Sequence, residues 1–148
     1  MKALFSGTFN PPTKGHLNII ERAERFCTLT VGIASNQRKT DLKLTPNKRK
    51  KLLQTITKNE VVIIEGLVVD YAKEHQIDLL IRGVRNPNDF IKEQEMAQMN
   101  REIYGIETLL LPADPSYSFI RSSLVREIAS LGNSIAPFVP PSIVNAFN

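Results

Sequence analysis

Cysteine occurs once in this chain, at Cys27, and histidine only at His16 and His75. A lone cysteine excludes an intrachain disulfide, and so few Cys and His residues leave no zinc-type cluster. A reducing, cytoplasmic setting is the expectation. Long apolar runs are missing as well: none approaches the ~18 residues needed to span a bilayer. The opening MKALFSGTF meets a glycine before it can build the apolar core of a signal peptide. Neither G-x-x-x-x-G-K-[ST] nor G-x-G-x-x-G occurs, so the ordinary P-loop and dinucleotide readings fail. There is no internal repeat, low-complexity segment or linker, and 148 residues suit one domain, 1–148, with a single sizeable core.

What is present is basic. The net charge is +4 and the pI about 9.3. Much of the excess crowds into residues 38–51, as Arg38, Lys39, Lys43, Lys48, Arg49, Lys50 and Lys51. Such a balance suits a polyphosphate ligand and equally a nucleic acid. For Lys48, Lys50 and Lys51 a plain solvated helix face is as good a reading.

Short apolar segments alternate with helix-like ones from end to end. Residues 3–6, 29–34, 61–64, 78–81 and 107–111 read as strands, the fourth closed by Arg82-Gly83 and the fifth by Pro112. Residues 16–26 read as a helix with Leu17, Ile20, Ala23 and Glu24 at helical spacing. Thr45 followed by Pro46 marks the start of a second helix, and 67–74 is a third. Asp89 is the expected acidic N-cap of a long helix over 89–103, and Ser118 the expected cap of one over 119–131. Pro140-Pro141 opens a short last helix.

Strands this apolar, alternating with helices, predict a parallel sheet covered on both faces. The expectation is a Rossmann-like α/β fold with five parallel strands in the order 3-2-1-4-5. Ligands of such sheets bind beyond the carboxyl ends of the strands, where the strand order reverses. That order brings together three polar loops: residues 7–16, 82–89 and 116–123.

In the first loop, G-T-F-N-P-P-T-K-G-H over 7–16, Gly7 is expected to give a tight turn and close backbone approach. Thr8 offers a hydroxyl and an amide. Gly15 and His16 sit where a helix begins, beside free N–H groups and the positive dipole end, a natural phosphate site. His16 there could donate to charge growing on a transferring phosphoryl oxygen, or merely cap its helix. In the second loop, Arg82 and Arg85 flank Gly83 and suit bidentate phosphate binding; ion pairing with Asp89 or Glu93 is the structural alternative. In the third, the hydroxyls of Ser118, Ser122 and Ser123 could hold phosphate or simply cap a helix.

The first loop resembles the G-x-F-D-P-x-[HT]-x-G-H signature of the nucleotidyltransferase α/β superfamily. Thr13, where many relatives carry histidine, is similar to the variant found in the phosphopantetheine adenylyltransferase family. The run L-I-R-G-V-R over 80–85, then Asp89-Phe90, Glu93 and Met99-Asn100-Arg101, resembles that family too, as does Y-S-F-I-R-S-S over 117–123. The likeness extends from Leu4 to about Pro140. It implies adenylyl transfer from ATP to 4′-phosphopantetheine with Mg²⁺, no nucleic-acid or membrane partner, and a homo-oligomer, usually a hexamer.

Carried over residue by residue, the resemblance implies that His16, Thr8 and Lys39 act in catalysis. Thr8, Lys39, Val69 and Arg82 would bind the acceptor, with Arg38 the competitor for the place of Lys39. Gly7, Thr8, Phe9, His16, Gly83, Arg85, Glu93, Ser118 and Ser122 would bind the nucleotide. The chain departs from the pattern at Asn10, Tyr117 and Arg121, and at Thr45-Pro46-Asn47-Lys48-Arg49 where an acidic stretch is usual. Arg121 adds bulk and charge beside the expected triphosphate site. Three rivals remain: a superfamily enzyme with another acceptor such as nicotinamide mononucleotide or glycerol phosphate, a non-catalytic nucleotide sensor, and a nucleic-acid binder using residues 38–51. Thr13 and the L-I-R-G-V-R run argue against the first.

Overall fold

β1 (Lys2–Gly7) divides its side chains between two cores. Ala3 and Phe5 pack with Ile19, Ile20 and Ala23 on one face of the sheet, and Leu4 with Val69, Ala72 and Leu80 on the other. This follows from the two-residue period of a strand, and it demands a helical layer on each face. The computed structural model, in which residues 1–35 and 44–146 are described, has both layers. β1, β2 (Thr28–Ala34), β3 (Glu60–Ile64), β4 (Leu79–Val84) and β5 (Glu107–Pro112) form one sheet in the order β3-β2-β1-β4-β5. Every pair is parallel, as expected.

α1 (Lys14–Ala23) and α2 (Pro46–Gln54) cover the first face with Ile19, Ile20, Ala23 and Leu53. α3 (Val68–Glu74) covers the second with Val69 and Ala72, joined by Tyr104 from α4 (Pro87–Tyr104). α5 (Ser122–Ser130) and α6 (Pro141–Val144) build a smaller cluster with Leu44 and Leu52 beside the sheet.

The strands part where the site forms. β1 pairs with β2 as far as Gly7, and β4 pairs with β5 as far as Val84. Between β1 and β4, however, the register holds only from Ala3–Leu79 to Phe5–Ile81. Beyond Phe5 the two central strands diverge and leave a crevice at the reversal of strand order.

Several boundaries differ from the sequence expectation. β4 continues through Arg82, Gly83 and Val84, because β5 supplies partners for all three. α4 is capped by Asn86 rather than Asp89: the Asn86 side chain accepts from the Asp89 amide at 2.9 Å, and Pro87 takes the first turn. α5 begins at Ser122, not 119, and Ser118 caps no helix; its hydroxyl donates to the Pro115 carbonyl at 3.2 Å within a turn. α1 stops at Ala23, leaving Phe26 half exposed and Glu24 at the C-cap. Thr45 caps α2 as expected, accepting from the Lys48 amide at 3.2 Å.

Candidate active site

The β1–α1 turn is built around Phe9. Its φ of 50° lies in the left-handed region, and its ring is buried. The turn therefore strains Phe9 and not Gly7, where the sequence placed it. Gly7 serves differently: a Cβ there would lie 3.2 Å from the tip of the Phe9 ring. The ring in turn meets His16 edge-on, with centroids 4.8 Å apart.

Thr13 caps α1 through a reciprocal pair. Its hydroxyl accepts from the His16 amide at 3.3 Å, and its own amide donates to Nδ1 of His16 at 3.0 Å. Because Nδ1 accepts, the imidazole proton resides on Nε2. Burial lowers the His16 pKa from 6.5 to about 4, helped by the positive charges of Arg85 and Arg82. At neutral pH His16 is thus an uncharged donor through Nε2.

Both arginines of the second loop are held by carboxylates. Arg82 forms a two-pronged pair with Glu93, Nε and Nη2 each 2.8 Å from a carboxylate oxygen, and its Nη1 donates to the Ser6 carbonyl. Arg85 binds Asp89 at 3.0 Å and donates to the Ile120 carbonyl at 3.1 Å. These pairs are part-exposed, so their worth to stability is modest. Their effect is to fix the two guanidinium planes at the crevice.

From the third loop, the Ser122 hydroxyl donates to the Pro11 carbonyl at 2.9 Å, and Arg126, one turn on, donates to the Asn10 carbonyl at 2.6 Å. Asn10 is fully buried, its side-chain oxygen accepting from the Leu44 amide at 3.3 Å. The three loops enclose a cavity of about 380 Å³, ample for a small-molecule ligand. Among the described residues its lining carries Arg82, Arg85, Arg121 and Arg126 against Asp89 and Glu93. That imbalance favours a polyanion.

Gly7, Thr8, Phe9, His16, Arg82, Gly83, Arg85, Glu93 and Ser122 all line this cavity. Val69 does not. It is packed in the core with Leu4, Ile64 and Leu80, because α3 turns Val69 and Ala72, three residues apart, onto the sheet. Ser118 is outside the lining as well. Lys39 and its competitor Arg38 lie outside the described residues. Motif reading overlooked Arg126 and Arg49. Helical spacing carried a signal for each: Arg126 follows Ser122 by four residues, and Arg49 precedes Leu52 and Leu53 by three and four on the inward face of α2.

The α1 start does not offer the free amides the sequence suggested, since the Lys14 amide donates to the Phe138 carbonyl and the His16 amide to the Thr13 hydroxyl. A parallel sheet with His16 and four arginines lining a crevice at the reversal of strand order nevertheless fits a nucleotidyltransferase. The cytidylyltransferase-like family model matches residues 4–128. The chain is 39% identical to a phosphopantetheine adenylyltransferase of Streptomyces coelicolor, over 98% of this chain and 94% of that one. It is 41% identical to a phosphopantetheine adenylyltransferase of Coxiella burnetii, over 95% and 91%. The chain belongs to the cytidylyltransferase-like family and, within it, to the phosphopantetheine adenylyltransferases. A solved structure from Vibrio parahaemolyticus, described as a candidate nicotinate-nucleotide adenylyltransferase, shares the fold with a TM-score of 0.65 at 20% identity, covering 99% of this chain and 97% of that one.

Proposed function

We propose that the chain transfers the adenylyl group of ATP to the phosphate of 4′-phosphopantetheine, giving dephospho-coenzyme A and pyrophosphate in coenzyme A biosynthesis. The observation that carries this reading is a neutral His16, its proton on Nε2, in the lining of a cavity with excess arginine. An oxygen of the acceptor phosphate attacks the α-phosphorus in line; that P–O bond forms as the bond to the pyrophosphate oxygen breaks. The acceptor phosphate is already ionised near neutral pH, so no strong base is required. Rate enhancement comes from alignment and from donors aimed at the charge that develops. His16 and Thr8 serve the phosphoryl group in transfer. Arg82, with Lys39, serves the acceptor, and Arg85 and Ser122 serve the nucleotide.

Mg²⁺ belongs to this proposal as the companion of ATP. No group of three or more His, Cys, Asp or Glu side chains among the described residues could hold a metal, and both cavity carboxylates are bound to arginines. The donor set therefore fits an ion held by phosphate oxygens and water. Carried in with ATP, such an ion would supply charge neutralisation for the pyrophosphate, alongside the donors of Arg85 and Ser122.

We place the reaction in the cytoplasm. The lone Cys27 and the substrates favour that compartment, and no described helix is long and apolar enough to cross a membrane. We also propose a homo-oligomer, a hexamer by family. None of the 18 residues of α4 is buried, and Met96, Met99 and Ile103 form an exposed apolar stripe along it. Light scattering after gel filtration measures this directly.

The deciding assay is pyrophosphate release from ATP and Mg²⁺ with 4′-phosphopantetheine, nicotinamide mononucleotide or glycerol phosphate as parallel acceptors. Release with 4′-phosphopantetheine alone is the expected result. Release with a different acceptor, or ATP binding without turnover of any, overturns the reading.

A further inference from the structure

Arg49 is fully buried, yet among the described residues it has no ion-pair partner. Its Nε and Nη2 have no hydrogen-bond partner either. A cation held out of water in this way is costly, and an aliphatic side chain would fill the same place on α2 beside Leu52 and Leu53 more cheaply. Among the described residues its one side-chain bond is directed at the site: Nη1 donates to the Thr8 carbonyl at 2.7 Å. Thr8 and Phe9 line the cavity and Arg49 does not, so the Thr8 carbonyl turns away from the cavity toward α2. The Thr8–Phe9 peptide is trans, the one cis bond among the described residues being Asn10-Pro11. In a planar trans peptide the carbonyl and the following N–H point in opposite directions. Anchoring the oxygen therefore places the Phe9 N–H on the opposite edge of the peptide, away from Arg49.

The neighbouring carbonyls are held in the same manner. Arg126 takes that of Asn10, and Ser122 that of Pro11. Side chains from α2 and α5 thus hold the turn's carbonyls at residues 8, 10 and 11, Arg49 from outside the cavity and Arg126 and Ser122 from its lining.

We propose that Arg49 is a positioning residue for adenylyl transfer, acting through the Thr8 carbonyl to set the peptide plane that presents Thr8 and the Phe9 amide to the reacting phosphates. The inference rests on the function proposed above. Arg49→Met keeps the bulk and removes the donor. It should fold with an unchanged or higher Tm, since an unpaired buried charge is lost. Its kcat should fall by about 10- to 100-fold, the cost of a misplaced reacting group, with a much smaller change in the KM for ATP. Arg49→Lys restores an N–H donor and should recover part of the kcat. The proposal is overturned by an Arg49→Met chain that is unfolded or that turns over within about twofold of wild type, and equally by Arg49→Lys no faster than Arg49→Met. The Phe9 amide resonance, followed by ¹⁵N NMR, reads the same contact without turnover. Arg49→Met should abolish its ATP-induced shift, and an unchanged shift tells against the clamp. An inactive wild type tells instead against adenylyl transfer, and the NMR comparison still decides the clamp.

Discussion

Arg82 and Glu93 face each other through two parallel bonds of 2.8 Å, one from Nε and one from Nη2. Motif likeness assigns them to different ligands, the acceptor phosphate and the adenylate, yet here they form one ion pair. With Nη1 on the Ser6 carbonyl, at least three of the five N–H groups of Arg82 are committed to protein. A phosphate therefore meets a guanidinium whose plane is already set, and uses the donors left on its terminal nitrogens.

Arg82→Lys keeps the charge and loses the fork. The KM for the acceptor should rise roughly tenfold or more, the worth of a charge-assisted bond of ~1.5–3 kcal/mol. The KM for ATP should change far less. Steady-state kinetics with each substrate varied in turn separates the two; an equal rise in both would remove the acceptor role.

His16→Ala deletes the Nε2–H donor. Turnover should drop about 10²–10³-fold, the usual cost of one donor to developing charge. The fold should survive, because the amide at position 16 can still donate to the Thr13 hydroxyl. Near-normal turnover in a folded variant would strip His16 of its assigned role.

Thr13→Val separates the two halves of the cap. The hydroxyl that accepts from the His16 amide is lost, which should cost about 1 kcal/mol of stability. The backbone amide that fixes the imidazole tautomer stays. Melting should move down while kcat falls much less than in His16→Ala.

Stability should depend on pH through His16. Its folded pKa of about 4 lies below the usual 6.5. As pH falls through that window, the unfolded chain takes up a proton before the folded one does, so the unfolded state gains. The contribution is complete above about pH 6.5 and is lost by about pH 4. Melting curves of wild type and His16→Asn should converge across that range. ATP brings negative charge to the imidazole and should raise its pKa, visible as a shift in the His16 NMR titration.

Gly32→Ala tests the sheet apart from the chemistry. A Cβ at Gly32 would lie 2.5 Å from Cδ1 of Ile64 and 3.0 Å from Cδ1 of Leu4, both fully buried. Overpacking of this kind costs about 1–3 kcal/mol. Tm should fall measurably, while kcat per folded molecule should hold.

The order of the sheet and the convergence of three polar loops were legible because apolar runs and breakers repeat regularly along the chain, and parallel α/β topology has few solutions. The Thr45-Pro46 cap was legible for the same local reason. Cap positions that depend on neighbouring elements were not. Asp89 and Ser118 both have the right chemistry for a cap, but Asn86 caps α4, the Ser118 hydroxyl donates to the Pro115 carbonyl, and Arg121 stands at the N-cap of α5 with no side-chain cap bond. Val69 is assigned to the acceptor by resemblance, and only the orientation of α3 on the sheet shows that it packs in the core.

Residue type and spacing alone determined that the start of α1, two arginines and a serine pair would meet at one end of a parallel sheet. Tertiary structure decided what those groups do to one another: the pairing of Arg82 with Glu93, the lowered pKa of His16, and the grip of Arg49 and Arg126 on the first loop. The reason is physical. Periodicity and capping are local properties of the chain, whereas a donor's partner and a charge's solvation depend on which distant residues share its surroundings.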